Sequence, residues 1–252
     1  MEASEIAILM LSTCISGTLL YSRDSPLIHG DVSRTLRSML MGAAVAITTF
    51  LIIRSPFGRR SGAHFNPSLT LAFFWLGRVH RWDAAGYILS HFAGAIAGVL
   101  AARQIVGVSL SVPPVRYMIT LPGGYGSPVA FLGEFLLAAL LMSVVLYASN
   151  HRLLVRFSPL LVALVTVCYY GFSSSISGFS VNPARSFSSA LFAWIWQGIW
   201  IYFVAPCLGM LAAAILYIRK RGRDGVYCAK VFHDLHSACP FPCRFLRLYP
   251  EA

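Results

Sequence analysis

The sequence predicts an all-α membrane protein of six transmembrane helices plus two re-entrant half-helices, arranged as an inverted repeat. Three observations predict it. Of the 252 residues, 57% are hydrophobic and 12% charged, and the mean hydropathy is +0.70, outside the range of soluble globular chains. The charges fall between apolar runs of roughly 20 residues, the length a helix needs to cross a hydrocarbon core of about 30 Å. Finally, SGAHFNPSLTLAFFWLGR from Ser61 aligns without a gap with SGFSVNPARSFSSALFAW from Ser177.

The spans fall near 5–22, 36–54, 84–105, 127–148, 158–176 and 198–219. MEASEIAILM carries no Lys or Arg ahead of its apolar run, and no cleavage site follows, so the first helix is expected to stay. The alternation of an outer-membrane barrel is absent from the sequence. One Asn-Pro segment lies between spans two and three, the other between five and six. Each is followed by about ten to twelve apolar residues, roughly half a span, which predicts half-helices re-entering from one face. Six spans divide into halves of about 1–110 and 127–221. Three is odd, so the second half starts from the opposite membrane face and the two Asn-Pro segments point at each other. A channel-like domain over 1–221 and a Cys/His-rich tail over 222–252 follow from this division. Small residues in GAIAGVLAA (94–102) and LGMLAAAILY (208–217) suit close helix contacts. Trp75, Trp82, Trp194, Trp196 and Trp200 fall near predicted helix ends, as interfacial anchors do.

The net charge of +11 does not point to nucleic acid, because no soluble domain gathers the basic residues on one face. Fourteen Lys and Arg lie on the termini and the 54–81 and 150–157 loops, against six elsewhere. The positive-inside rule therefore puts both termini in the cytoplasm, and the plasma membrane is the expected location. Cys14, Cys168 and Cys207 lie in apolar spans, where a thiol packs as a small hydrophobe. No disulfide framework is expected in a cytoplasmic tail.

Asn is a favoured helix N-cap, and Pro at the first helical position gives up an N–H that would lack a partner anyway. Two half-helix N-termini meeting at mid-membrane bring about half a positive charge each. Non-helical backbone at that depth requires burial in protein or a water-filled lumen. Asn66 and Asn182 amides would donate to a passing oxygen there, turn its hydrogens outward and break a proton wire. Such a site accepts neutral hydroxylic molecules and repels cations.

With these residues the chain resembles the major intrinsic protein family, the aquaporins and aquaglyceroporins, over about 5–219. Asn182, Pro183 and Ala184 match its second box, with Arg185 following. Asn66, Pro67 and Ser68 match the first except that Ser replaces the usual Ala, which adds a hydroxyl behind the cap. The resemblance implies a passive channel for water and small neutral solutes, no required cofactor, no enzymatic activity, and a homotetramer among membrane lipids. It implies that Arg185 lines the constriction and repels cations; acidic partners for it are scarce, Asp24 and Asp31 being those in the outer loops. By spacing, the other filter positions fall on Ala46, Tyr170 and Phe179, the span positions carrying a slip of one. Small Ala46 argues for a wide mouth, and Tyr170 with Phe179 for a partly apolar one, which leaves glycerol facilitation open beside water conduction. Ser186 stands where glycerol facilitators have Asp.

Glu5 and Glu134 open spans one and four, and the resemblance implies that they hydrogen-bond the pore loops. An intramembrane carboxylate is costly and by default functional or paired. No second carboxylate or Ser-His-Asp set makes either one a general acid. His91 stands where the family has Gln; it reads as a satisfied core histidine or as a titratable gate, and His64 presents the same choice. A membrane enzyme or non-conducting sensor on the same scaffold, with the tail as its working part, is the rival reading.

In the tail, Cys228, His233, Cys239 and Cys243 form a C-x4-H-x5-C-x3-C array with His236 spare. A Cys3His set suits tetrahedral zinc and would order a segment too short for its own core. Reversible acylation of the cysteines or an unstructured tail are the alternatives.

Overall fold

A computed structural model describes residues 1–25, 27, 32–173, 176–233 and 239–249. Asp31 and His236 lie outside them. Among the described residues there is no strand. The long helices are α1 (Glu2–Tyr21), α2 (Arg34–Arg54), α5 (Arg81–Val106), α6 (Ser127–Ser149) and α9 (Ile199–Arg221). These five are long and apolar enough to cross a membrane. The predicted fifth span begins as expected but is shorter as described, α7 running over the 16 residues Ser158–Ser173. Short α3 (Pro56–Ser61) leads into the first re-entrant loop. The half-helices are α4 (Pro67–Trp75) and α8 (Pro183–Ala193), of 9 and 11 residues.

Local chemistry sets the helix starts. Ser33 accepts the Leu36 amide in front of α2, and Ser55 accepts that of Gly58 in front of α3. Asn66 and Asn182 cap α4 and α8 with Pro as the first helical residue. Each such cap contributes about 1 kcal/mol.

The halves pack alike. Helix α1 runs against α5 as α6 runs against α9, while α2 and α7 meet across the middle. Glycines make the first two approaches possible. A methyl group on Gly94 would stand 2.1 Å from the Ala3 carbonyl oxygen, and one on Gly209 would stand 2.2 Å from that of Phe135. Lipid offers no hydrophobic drive between helices, so this backbone proximity carries the dispersion contacts that hold them. All five tryptophans are exposed, each at or close to a helix end.

Beyond 221 the described tail residues pack on the bundle. Val226, Cys228, Ala229, Val231, Phe232 and Phe241 are buried in the same apolar cluster as Val45, Phe73 and Tyr170 of the bundle. These side chains pack on the helices, while buried Phe245 gathers Tyr227, His233 and Tyr249 around itself within the tail.

Candidate functional site

Both Asn side chains use each end of the amide. Asn66 Oδ1 accepts the Ser68 amide at 2.9 Å, and Asn182 Oδ1 accepts those of Ala184 and Arg185 at 3.0 and 3.3 Å. The Nδ2 groups cross between the halves: Asn66 Nδ2 donates to Val181 O and Asn182 Nδ2 to Phe65 O, both at 2.8 Å. Each acceptor is the residue before the opposite Asn, so the pair is reciprocal. An amide nitrogen carries two hydrogens, which leaves the second on each Nδ2 for the space between.

That space is a cavity of about 90 Å³ lined by Asn66, Asn182, Phe65, Tyr170, Phe179 and Arg185, with Val45, Thr49 and Ile53 from α2. It has room for several waters. Val45, Thr49 and Ile53 recur every fourth residue, one face of α2. Ala46, the residue expected from spacing, is buried but does not line the cavity. Its neighbour Val45 does, because a helix turns about 100° per residue and a slip of one turns the side chain off the lumen. Val45 lies within the slip of one that the spacing carried. Tyr170 and Phe179 meet edge to face with centroids 4.6 Å apart, forming an aromatic wall. Arg185 is 6% exposed, and its Nη1 lacks a hydrogen-bond partner among the described residues. A donor group left over beside a cavity of this size is free to meet what occupies it.

Carboxylates brace both re-entrant loops. Glu134 accepts Ser177 Oγ at 2.7 Å and the amides of Ser180 and Val181 at 3.0 and 2.7 Å. In the first loop the same work is divided. Glu5 accepts Ser61 Oγ at 2.6 Å, while the amides of His64 and Phe65 go to Glu2 at 3.1 and 2.6 Å. Glu2, absent from the sequence-based site, is thus the partner of Glu134 in the repeat. The helix contacts agree, since Gly94 abuts Ala3 and Gly209 abuts Phe135, the residues after Glu2 and Glu134. His91 Nε2 donates to the second Glu2 oxygen at 2.7 Å, while its Nδ1 has no partner among the described residues. Matched tyrosines complete the frame: Tyr87 OH donates to Ser61 O at 2.7 Å and Tyr202 OH to Ser177 O at 2.6 Å.

The serine of the first box points away from the lumen. Ser68 Oγ lies 3.2 Å from Cys207 Sγ of α9. On the other side, Ser186 pairs with Thr120 at 2.7 Å and donates to Ser180 Oγ at 2.5 Å, tying the 111–126 connection to the second loop. Sequence alone carries no signal for this link.

His64 is buried and held on both nitrogens. A carbonyl only accepts, so Nε2 donates to Ala229 O at 2.8 Å, and Nδ1 receives the Thr70 hydroxyl at 2.9 Å. Its acceptor Ala229 belongs to the tail. Further along, the Cys228, His233 and Cys243 ligand atoms lie within 4.8 Å of one another, and Cys239 Sγ is 3.3 Å from Cys228 Sγ. Hydrogen bonds with the Cys239 and Cys243 thiols, together with burial, raise the Cys228 pKa.

A profile of the family described as Major intrinsic protein matches residues 7–217. The chain is 31% identical over 199 residues to a probable aquaporin NIP-type of Nicotiana alata, covering 78% of this chain and 70% of that protein. It is 29% identical to aquaporin NIP1-2 of Arabidopsis thaliana, over 70% of this chain and 61% of that protein. Among solved structures, the aquaglyceroporin from Plasmodium falciparum superposes with a TM-score of 0.66 over 86% of this chain and 92% of that one, at 19% identity, a likeness of fold. The profile takes in both Asn-Pro half-helices and most of the cavity lining between them, and the chain belongs to the major intrinsic protein family.

Proposed function

We propose that this chain is a passive channel for water and small neutral solutes that excludes protons and ions. The reciprocal Asn66–Val181 and Asn182–Phe65 bonds carry the reading: they hold two half-helix N-termini and two spare amide hydrogens against one cavity with room for several waters. A permeant oxygen accepting from those amides turns its hydrogens outward, which interrupts a proton wire. Arg185 adds a fixed positive charge in a low-dielectric constriction and repels cations. Val45, Tyr170 and Phe179 complete the proposed filter, with Ala46 behind it. An aromatic wall facing an Arg donor also suits the carbon and hydroxyl faces of glycerol, which keeps a glycerol-facilitator reading alongside water.

The basic asymmetry favours cytoplasmic termini in a plasma membrane, and the family likeness favours a homotetramer. Osmotic shrinkage of proteoliposomes, with and without a metal chelator, tests the channel against a sensor or enzyme on the same scaffold. Wild-type water flux well above that of empty vesicles, lost in Asn182→Asp, is expected. Flux at the empty-vesicle rate in both buffers would overturn the reading.

A further inference from the structure

The terminal side of the lumen ends on the tail. Val231 lines the cavity and bridges the halves, its amide donating to Gly62 O at 3.0 Å and its carbonyl accepting Ser158 Oγ at 2.6 Å. Gly62 precedes the first half-helix, and Ser158 opens α7 of the second half. Around this crossing, Ala229 O holds His64, buried Lys230 donates to Arg59 O, and the Arg54 guanidinium stands 5.3 Å over Phe232. Phe241 stacks on His64 with centroids 5.6 Å apart. Residues 228–232 are all buried. Tyr170, twelve residues along α7 from Ser158, marks the far side about 18 Å away.

The thiol and imidazole cluster sits on this crossing segment, with Cys228 and His233 flanking Val231. His233 is only 6% exposed, yet neither ring nitrogen has a hydrogen-bond partner among the described residues. A buried imidazole with both nitrogens idle is unusual, and this one faces two thiols within 4.8 Å. Tetrahedral zinc with bonds of about 2.3 Å to sulfur sets ligand atoms about 3.8 Å apart. Small side-chain movements bring Cys228, His233 and Cys243 to that spacing, and Cys239 beside Cys228 supplies a fourth thiolate.

We propose that zinc bound by Cys228, His233, Cys239 and Cys243 latches residues 228–233 across the terminal mouth and closes the pore. The closure rests on the channel reading; the metal site does not. Binding releases the thiol protons to water as zinc–thiolate bonds form. The bound ion then ties the crossing segment to residues 239–243 at its two ends. Removing the ion leaves that segment held by the Gly62, Ser158, His64 and Arg59 bonds and its apolar packing, and opening follows from the lost ligand stabilisation.

The test uses full-length protein purified without chelator. About one zinc per chain is expected, falling to background in Cys228→Ser/His233→Asn. Cobalt exchanged into the wild type should show the absorption of a tetrahedral thiolate site. Absence of zinc, or zinc retained in the double variant, overturns the site. In proteoliposomes, chelator should raise wild-type water permeability about tenfold, readded zinc should reverse the rise, and the double variant should be fast and insensitive to both. Equal permeability of wild type and variant in every buffer, above empty vesicles, overturns the latch while leaving the channel standing. Full-length wild type and double variant that both conduct no faster than empty vesicles in every buffer overturn the channel reading and the closure together, and metal content still judges the site.

Discussion

The two re-entrant loops do the same job with different amounts of chemistry. In the second half, one carboxylate, Glu134, holds a hydroxyl and two amides. In the first half, Glu2 takes the amides, Glu5 the hydroxyl, and His91 braces Glu2 from behind. The first loop also bears the tail, through Gly62, His64 and Arg59, whereas the second bears the 111–126 connection, through Thr120 on Ser186 and Gly123 on Ile176. The difference teaches that the repeat conserves backbone placement more strictly than side-chain assignment. Dividing the first loop's three donors between two carboxylates means that each single loss there strands fewer loop donors than the loss of Glu134 does.

Removing single carboxylates breaks this comparison most severely. Glu134→Ala strands three buried donors and should cost more than about 3 kcal/mol, read as a fall in thermal unfolding temperature in detergent. Glu2→Ala should cost about 2–3 kcal/mol, since two amides and His91 lose their acceptor, and Glu5→Ala about 1 kcal/mol. Equal losses at Glu134 and Glu5 would contradict the division of labour. Next in size is Arg185→Val, which should leave water flux nearly intact and raise proton leak roughly tenfold or more, because a fixed charge leaves a low-dielectric constriction. A pH-sensitive dye inside proteoliposomes measures it, and unchanged leak would remove Arg185 from the filter.

A smaller effect sharpens the register of α2. Val45→Ala should raise glycerol flux severalfold over water flux, whereas Ala46→Ser should alter neither; a larger response at 46 would return the lumen face to the spacing-based position. Smallest is Ser68→Ala. It removes only the Cys207 contact and should lower stability by about 1 kcal/mol or less with flux unchanged. A clear flux change would put that hydroxyl at the lumen.

The repeat, the two Asn-Pro caps, the spans and the family were legible in the amino-acid order, because helix length, cap chemistry and hydropathy are local properties read within one stretch of chain. Tyr170, Phe179 and Arg185, carried over from the family resemblance by spacing, line the cavity, and their filter role belongs to the proposal. Ala46 against Val45 was not legible: one residue is 100° of helix rotation, and only packing against α7 sets the phase. Glu2 was hidden at the second residue, where a carboxylate looks like an ordinary terminal charge, until the Gly94–Ala3 contact set the register of α1 against α5. The four soft ligands of the tail could be counted from the sequence. That they sit beside Val231 at the mouth of the lumen was decided by the tertiary fold alone, because Val226, Val231, Phe232 and Phe241 bury themselves by covering a surface formed from both halves of the chain.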